Sequence, residues 1–302
     1  IHSEIEVRGL LEEDIIVGNT LVDMYANCRL LDTAKKVFYK LPVRDVISWT
    51  SLIAKYAEYG QGGEAFKLFK QMRREGASPD VVTFVCSLKA CAREGTTDKA
   101  RVIHGEIHAE IESKGLLETH LFVGSTLVDM YAKCGSLMKA QQVFNKLPVR
   151  NIVPWNALMA GYAQLGKSDI VFGMFDRMLG EGPRPSPITF VVVLNACSRA
   201  GLFYKSQSYF EAMSKDYGLS PGIEHQSCLI DVLCRSGQLE KALTMVKKMP
   251  SSPDLVVWHT ILGACQKCGN VKFGEKAFEE ARQLDDNDSA AYAMMSQIYG
   301  GR

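Results

Sequence analysis

The sequence lacks several features that would each assign the chain to a familiar class of protein. No continuous apolar run approaches the roughly 18 residues that a membrane-spanning helix needs, so we expect no membrane span. An excess of one charge is also missing, because 35 lysines and arginines stand against 34 aspartates and glutamates. With a net charge of only +1, no uniform basic field attracts nucleic acid, and any such binding depends on the placement of single side chains.

Cysteine is present, but without the pattern of a disulfide framework. The nine cysteines are an odd number, and most recur at fixed points of a long sequence repeat. The eleventh position of a repeat unit holds Cys91, Cys197 and Cys265, and the fourteenth holds Cys28, Cys134 and Cys268. A fixed position within a repeat predicts small packing side chains that stay reduced.

Enzyme signatures are missing as well. The sequence contains no P-loop, no G-x-S-x-G and no dinucleotide fingerprint. His104–Glu106 and Cys265–Cys268 have the H-x-E and C-x-x-C forms of zinc deaminases. These two halves lie far apart in different repeats, and no proline precedes Cys265. We therefore predict no zinc site, no cofactor and no catalytic residue in this chain.

What the sequence does have is a repeat at long range. Residues 15–45 read IIVGNTLVDMYANCRLLDTAKKVFYKLPVRD, and residues 121–151 read LFVGSTLVDMYAKCGSLMKAQQVFNKLPVRN, a shift of 106 positions. The same shift relates Trp49, Leu52, Tyr56, Gly60, Phe69, Met72 and Pro79 to Trp155, Leu158, Tyr162, Gly166, Phe175, Met178 and Pro185. Proteins of this kind stack units that cannot bury a core singly, and they present a long groove instead of a pocket.

Each 106-residue period divides into three related units. The predicted array, 1–254, is a partial unit 1–14 followed by units 15–45, 46–80, 81–120, 121–151, 152–186, 187–222 and 223–254. A different segment, 255–302, follows it. Because the chain starts within a repeat, we expect the natural protein to extend beyond residue 1, so the lack of a targeting peptide there carries no weight.

Each unit carries two helix-length apolar patterns with a short break between them. In unit 46–80, an i, i+3, i+4, i+7 stripe is formed by Trp49, Leu52, Ile53 and Tyr56. Gly60 and Gly62–Gly63 are expected to break it, and Gly76 to end the second helix. No alternating strand pattern competes. The sequence predicts an all-α fold, a right-handed α-solenoid (a superhelix of helical hairpins) whose first helices line the concave side.

Unit 81–120 is several residues longer than its counterpart, between Ala100 and His120. An i+4 apolar row is kept there by Ile103, Ile107 and Ile111. We therefore expect about one additional helical turn. His104 and His108 lie on the same row, and we expect them to be partly exposed and not to be metal ligands.

The units resemble pentatricopeptide repeats of plant organellar proteins, in the class with long and short variants called PLS. The resemblance rests on TLVDMYAKCGSLMKAQQVFNKLPVRNIVPWNALMAGYAQLG at 126–166, ITFVVVLNACSRAGL at 188–202 and YGLSPGIEH at 217–225. VVWHTILGACQKCGNVKFGEKAFE at 256–279 resembles the E motif that follows such arrays, and SAAYAMMSQIYGGR at 289–302 resembles the truncated start of a second one. We call residues 255–302 the E-type segment.

The resemblance implies sequence-specific binding of single-stranded RNA, one base per repeat, read by the fifth and the last residue of a unit. The implied pairs are Asn19 with Asp45, Thr50 with Asp80, Ser125 with Asn151, Asn156 with Ser186, and Ser227 with Asp254. In the long units these positions hold Val85 with His120 and Val191 with Gly222. In each of these pairs at least one residue has no hydrogen-bonding side chain. We therefore expect the long units to act as spacers between the units that read bases.

Donor and acceptor chemistry gives each pair a preferred base. A carboxylate only accepts hydrogen bonds, so a last aspartate suits U and G, whereas a last asparagine or serine can donate and suits A or C. At the fifth position a short hydroxyl leaves room for a purine, and the longer asparagine reaches a pyrimidine. Read 5′ to 3′ along the chain, the predicted register is U-G-N-A-C-N-G.

Two further rows recur in phase with the repeat. We expect the second residues of four units to flank the bases as apolar wedges, and these are Ile16, Ile47, Phe122 and Val153. We expect the basic thirteenth residues of the units to contact phosphates, and these are Arg93, Lys133, Arg199, Arg235 and Lys267. The series is interrupted by Asn27, Glu58 and Gln164. The alternative is ordinary surface and capping chemistry, since Asn, Ser, Thr and Asp favour helix ends and turns in any protein.

Two functions remain open at this stage. The first is the recognition module of a C-to-U RNA editing factor in a mitochondrion or chloroplast, with protein editing cofactors docking on the E-type segment and any deaminase domain outside this sequence. The second is a protein–protein scaffold of the tetratricopeptide type. Polar residues at the fifth and last positions favour RNA.

Overall fold

The computed structural model describes residues 2–94, 98–247, 249 and 252–300, and every regular element within these ranges is an α-helix. In chain order, α1 to α20 are His2–Val7, Leu10–Glu13, Ile15–Asn27, Leu31–Lys40, Val46–Glu58, Gly62–Arg74, Val81–Glu94, Asp98–Ser113, Leu116–Thr119, Leu121–Lys133, Leu137–Lys146, Ile152–Gln164, Ser168–Glu181, Pro187–Arg199, Phe203–Lys215, Ile223–Arg235, Leu239–Lys247, Leu255–Cys268, Val271–Leu284 and Ser289–Gly300. The all-α prediction is confirmed. In the same described ranges, no helix is both long and apolar enough to cross a lipid bilayer.

The helices form two compact units, Ile1–Gly161 and Tyr162–Arg302. In the first unit, α3, α5, α7 and α10 pack side by side, and each carries its hairpin partner, α4, α6, α8 or α11. In the second unit, α14, α16, α18 and α20 pack side by side in the same way, with α15, α17 and α19 as partners. We call each of these series a first-helix row. Stacked hairpins of this kind are the solenoid fold that the sequence predicts.

The sequence repeat is also a packing repeat. Phe38 meets Trp49 edge to face, with ring centroids 4.6 Å apart, and Phe144 meets Trp155 at the same 4.6 Å. Both tryptophans are fully buried. Edge-to-face aromatic pairs add about 0.5–1.5 kcal/mol to the burial of their apolar area. This contact joins the second helix of one unit to the first helix of the next, so it fixes how neighbouring units stack.

The first helices end on a residue in the left-handed region. Gly60 has φ of 75° and Gly135 has φ of 70°, and only glycine adopts such angles without strain. At the position equivalent to Gly135, the chain has Arg29 with φ of 62°. The second helix of unit 46–80 already starts at Gly62. The prediction that Gly62–Gly63 break the helix is therefore wrong, and only Gly60 lies in the break.

The longer unit is built much as expected. Helix α8 has 16 residues against 13 in the equivalent α15, and the four-residue α9 follows it. His108 is partly exposed, and its Nδ1 lies 2.9 Å from the hydroxyl oxygen of Tyr131. The expected partial exposure of His104 is wrong, because its side chain is 3% exposed. It neighbours Ile103 within the buried stripe, and burial lowers its pKa to about 4.

Most of the phase-locked cysteines are packing residues, as predicted. Those that are buried are Cys91, Cys134, Cys197 and Cys265. The side chain of Cys268 lies outside the described residues. Cys28 is exposed, contrary to the prediction. The thiol of the equivalent Cys134 donates to the Cys91 carbonyl of the preceding first helix, α7. In the described part of the chain, α3 begins its first-helix row, so no preceding first helix offers Cys28 such a carbonyl.

We predict that Gly135→Ala destabilises the protein by about 1 kcal/mol, because a Cβ strains the left-handed backbone. Arg29→Gly should stabilise it by about 0.5–1 kcal/mol, since part of the relieved strain is offset by the lost contact of the guanidinium with the Tyr59 ring, at 5.3 Å. Urea unfolding measures both changes. As a control, Gly105→Ala lies within α8 with nothing near its added Cβ and should be stabilising. Equal effects at Gly135 and Gly105 would contradict the backbone argument.

We predict that alkylation of the native protein at pH 8 modifies Cys28 first and leaves Cys197 unmodified. Burial raises the pKa of the Cys197 thiol to about 12, so almost no reactive thiolate forms there. Mass spectrometry after a timed iodoacetamide reaction distinguishes the two sites. The same reaction in urea should label both equally, and labelling of Cys197 at the rate of Cys28 in the native state would refute the assignment.

Candidate functional site

The last residue of several units caps the first helix of the next one. Backbone N–H groups donate to Oδ1 of the aspartate at 2.8 Å for Asp45, 2.8 Å for Asp80 and 3.1 Å for Asp254. In all three, Oδ2 has no hydrogen-bond partner within the described part of the chain. One carboxylate oxygen therefore holds the helix, and the second is available to accept a further hydrogen bond.

Two of the sequence-predicted pairs are brought together by this arrangement. Asn19 donates from Nδ2 to Oδ1 of Asp45 at 3.3 Å. Thr50 reaches Asp80 through an intermediary, since its hydroxyl lies 2.6 Å from that of Thr83, which donates to Asp80 Oδ1 at 2.7 Å. Thr83 was missed by sequence reasoning. Its signal was the D-x-x-T spacing, in which a hydroxyl three residues after a cap returns to the capping residue.

Ser125 and Asn151 have separate partners. The Ser125 side chain is 3% exposed, and its hydroxyl donates to the carbonyl oxygen of Leu121 at 2.8 Å. Asn151 accepts from the backbone N–H of Val153 at 3.0 Å. Because its hydrogen is donated to Leu121, the Ser125 hydroxyl can donate to a ligand only if it leaves its own helix.

The later pairs are also engaged locally. Ser186 caps its helix by accepting from the Thr189 N–H at 3.3 Å, and the Ser227 hydroxyl donates to the carbonyl of Ile223 at 2.8 Å. Asn156 is half-buried. In the long units the corresponding side chains are half-buried at Val85 and Val191, and exposed at His120, while Gly222 has none.

The second residues of the units, apart from Glu224 in unit 223–254, form an exposed apolar series. The exposed fraction is 70% for Ile16, 60% for Ile47, 75% for Phe122 and 48% for Val153. Sequence reasoning missed three further members, which are Val82, Ile188 and Val256, exposed by 55%, 64% and 62%. They occupy the same second position, so the repeat register was the signal. A large apolar side chain held in solvent next to a polar cap is suited to packing against the flat face of a ligand.

The thirteenth residues have structural partners of two kinds. Arg93 donates to the last two carbonyl oxygens of α5, that of Ala57 at 2.9 Å and that of Glu58. Arg199 donates in the same way to the carbonyl oxygen of Gln164, at the end of α12, at 3.4 Å. These carbonyls lack partners within their own helices. Lys133 and Arg235 instead pair with an aspartate one turn earlier, at 2.7 and 2.8 Å.

Three of the predicted phosphate contacts share one cleft in the second compact unit. Arg199, Arg235 and Lys267 line a cleft of about 890 Å³, which His259 also lines. The cleft runs across α14, α16 and α18, which are successive members of one first-helix row. Its cations and its length across neighbouring helices fit an extended anionic chain better than a compact ligand.

Metal ligands do not gather in the described part of the chain, where no group of three His, Cys, Asp or Glu side chains is placed to hold an ion. His104 is buried in α8, and Cys265 is buried in α18. The H-x-E and C-x-x-C segments thus lie in different compact units.

Solved structures with the same fold include the pentatricopeptide repeat protein PPR10. In complex with an 18-nt psaJ RNA element, PPR10 superposes with a TM-score of 0.79 and 18% identity over 98% of this chain and 44% of that chain. A further structure of PPR10, from maize, gives a TM-score of 0.67, with 17% identity over 98% of this chain and 48% of that chain. At these identities the likeness establishes the fold.

Relatives with higher identity come from Arabidopsis thaliana. The pentatricopeptide repeat-containing protein CRR2, described as chloroplastic, is 38% identical over 99% of this chain and 45% of its own length. Another, described as mitochondrial, is 37% identical over 97% of this chain and 46% of its own length. The chain thus spans less than half the length of these relatives.

Family models match along most of the array. The PPR repeat model matches residues 19–46, 125–152, 188–217 and 227–253, and the PPR repeat family model matches residues 44–93 and 150–199. The matches at 19–46 and 44–93 recur 106 residues later, at 125–152 and 150–199. Together with the stacked hairpins and the plant relatives, they show that this chain belongs to the pentatricopeptide repeat family.

Proposed function

We propose that the chain binds single-stranded RNA in a sequence-specific manner, with a fifth and a last residue reading one base per unit. One observation carries the proposal. At Asp45 and Asp80, the fifth residue of the unit is linked to the last-residue carboxylate, directly from Asn19 and through Thr83 from Thr50, while Oδ1 caps the next helix and Oδ2 is left as an acceptor. An acceptor fixed at this point suits the imino N–H of U or G.

Capping alone explains why polar residues occur at the last position. It does not explain the exposed apolar residue two positions later, such as Ile47 after Asp45, because a cap needs no such neighbour. A base stacked on that side chain would present its edge to the carboxylate. The series therefore supports binding of unpaired bases, which protein side chains reach by stacking and by edge contacts.

The related structure and the relatives make the proposal more specific. PPR10, which shares the fold, is described in complex with an RNA element. The relatives described as chloroplastic and mitochondrial support an organellar location. We further propose the predicted register U-G-N-A-C-N-G and a role in C-to-U editing with protein cofactors, which rests on the resemblance of residues 255–302 to E-type motifs. In this proposal the chain recognises RNA and performs no catalysis.

We predict that the wild-type chain binds RNA containing U-G-N-A-C more tightly than RNA with A in place of G. Asp80→Asn should move this second preference from G toward A, because the side chain gains an N–H donor while its remaining oxygen can still cap α7. One base-edge contact is worth about 1–3 kcal/mol, or roughly 5- to 150-fold in Kd. Fluorescence anisotropy with the two RNAs measures both preferences.

The matched control is Asp32→Asn, which changes an exposed carboxylate in the first turn of α4, a second helix. It should leave the preference for G unchanged. If Asp80→Asn retains that preference as well, the assignment of Asp80 as a reading residue is wrong. If the wild type does not distinguish these RNAs from an unrelated polyanion, a protein scaffold becomes the better hypothesis.

We predict that Lys133→Ala weakens binding to all RNA sequences alike and reduces the salt dependence of binding. The slope of log K against log salt should fall by about 0.7, the value for one phosphate contact on a single strand. Lys36→Ala, an exposed lysine on the second helix α4, is the control and should leave the slope unchanged. A base-dependent effect of Lys133→Ala would contradict a phosphate contact.

A further inference from the structure

Arg29 occupies a position that glycine takes in the other units. It is the fifteenth residue of unit 15–45, and among the residues that the structure describes it is the one non-glycine residue with a positive φ, at 62°. An arginine is strained in this backbone conformation, and residues held in strained conformations cluster at functional sites. The fifteenth residues described in the other units and in the E-type segment all have positive φ, and they are Gly60, Gly135, Gly166, Gly201, Gly237 and Gly269.

The strained arginine lies where the series of thirteenth-residue cations is interrupted. Units 15–45 and 46–80 have Asn27 and Glu58 at the thirteenth position, and they are the only two consecutive units that lack a cation there. Arg29 stands two residues after Asn27, in the turn between α3 and α4. The fifteenth position therefore supplies a positive charge at the place where the thirteenth position supplies none.

Arg29 lines a cleft of about 460 Å³ in the first compact unit. Tyr59 and Gln61, from the turn between α5 and α6, line the same cleft together with Glu58 and Arg93. The cleft thus lies at the C-terminal ends of α3, α5 and α7, which are successive members of one first-helix row. It occupies the same place in the repeat as the larger cleft of the second compact unit, which runs across α14, α16 and α18.

Tyr59 orients the guanidinium of Arg29, whose central carbon lies 5.3 Å from the centroid of the tyrosine ring. The Tyr59 hydroxyl donates to the carbonyl oxygen of Asn27 at 3.4 Å, so the ring is tied to the end of α3. Arg29 is exposed, and within the described part of the chain its guanidinium makes no hydrogen bond and no ion pair. A guanidinium that rests on an aromatic face keeps its N–H donors for a ligand.

The charge of the cleft favours an anion. Among the described residues that line it, Glu58 is the one carboxylate, and its Oε2 pairs with Lys55 at 2.8 Å. The hydrogen bond from Lys55, and after it the charges of Arg93 and Arg29, lower the pKa of Glu58. Two arginines therefore line the cleft against one carboxylate that a third cation already holds.

We propose that this cleft binds a phosphate group of the RNA backbone, with Arg29 contacting it in place of the missing thirteenth-residue cations. This rests on the RNA-binding function proposed above and adds a contact site to it. The phosphate is the one that links the first two bases of the register, U and G, because the cleft joins the two units assigned to these bases. The planar guanidinium offers paired N–H donors that match two phosphate oxygens.

The variant Arg29→Gly separates this contact from a structural role, because it should be more stable than the wild type and yet bind RNA less tightly. We expect the Kd for RNA containing U-G-N-A-C-N-G to rise about fivefold at roughly 0.1 M salt, and the slope of log K against log salt to fall by about 0.7, as for one phosphate contact on a single strand. Arg29→Lys keeps the charge and should retain most of the slope. Fluorescence anisotropy at several salt concentrations measures binding, and urea unfolding measures stability.

An RNA with one methylphosphonate linkage, which carries no charge, locates the phosphate. Placed between U and G, the neutral linkage should make the wild type and Arg29→Gly bind equally. Placed between A and C, it should leave the difference between the two proteins intact. The control variant is Arg74→Ala, which removes an exposed arginine from the end of the second helix α6 and should leave affinity and slope unchanged.

The possible outcomes distinguish this inference from the proposed function. If Arg29→Gly binds as tightly as the wild type while the wild type still selects G at the second base, the inference fails and the proposed function stands. A loss of affinity that persists with the neutral linkage between U and G would also overturn the assignment of this phosphate. If the wild type selects no base, the proposed function itself fails.

Discussion

The side-chain caps at the N-termini of first helices such as α5 and α7 are the contacts on which both the stacking and the candidate site depend. A capping carboxylate such as Asp45 or Asp80 belongs to one unit and holds the helix of the next, so it fixes the junction between them. The positive end of the helix dipole also favours a negative charge at this point. Because the cap needs only one oxygen, each junction of this kind also presents an acceptor, whereas α10 and α16 begin after His120 and Gly222 without a side-chain cap.

The opposite ends of the same helices carry the cations, for a related reason. The last carbonyls of a helix lack partners and form the negative end of its dipole, which attracts Arg93 and Arg199. These arginines therefore have a structural role whether or not RNA is bound. Lys133 and Arg235 are exposed, and each pairs with a carboxylate one turn away. Exchange of that carboxylate for a phosphate costs little, because exposed ion pairs contribute about 0–1 kcal/mol.

The sequence predicts the helical hairpins well, because the spacing of buried residues such as Trp49 and Trp155 is set by the helix itself. It also assigns base reading to the fifth and last positions, and that assignment stays a prediction. It did not show that Ser125 would turn its hydroxyl onto its own helix, since a serine has equally good partners in the backbone. Nor did it show the contact of His259 with Asp288, because that depends on α20 continuing the row beyond the array.

Asparagine, aspartate and serine cap helices almost equally well, yet they present different groups to a ligand. An exchange among them at a last position changes the donor or acceptor offered to a base while leaving the cap, and hence the stacking of units, nearly unaffected. The chain itself contains all three, at Asp80, Asn151 and Ser186, each capping or contacting the start of the following helix. The fold thus tolerates the substitutions that the proposed function expects to alter base preference, and the scaffold stays unchanged.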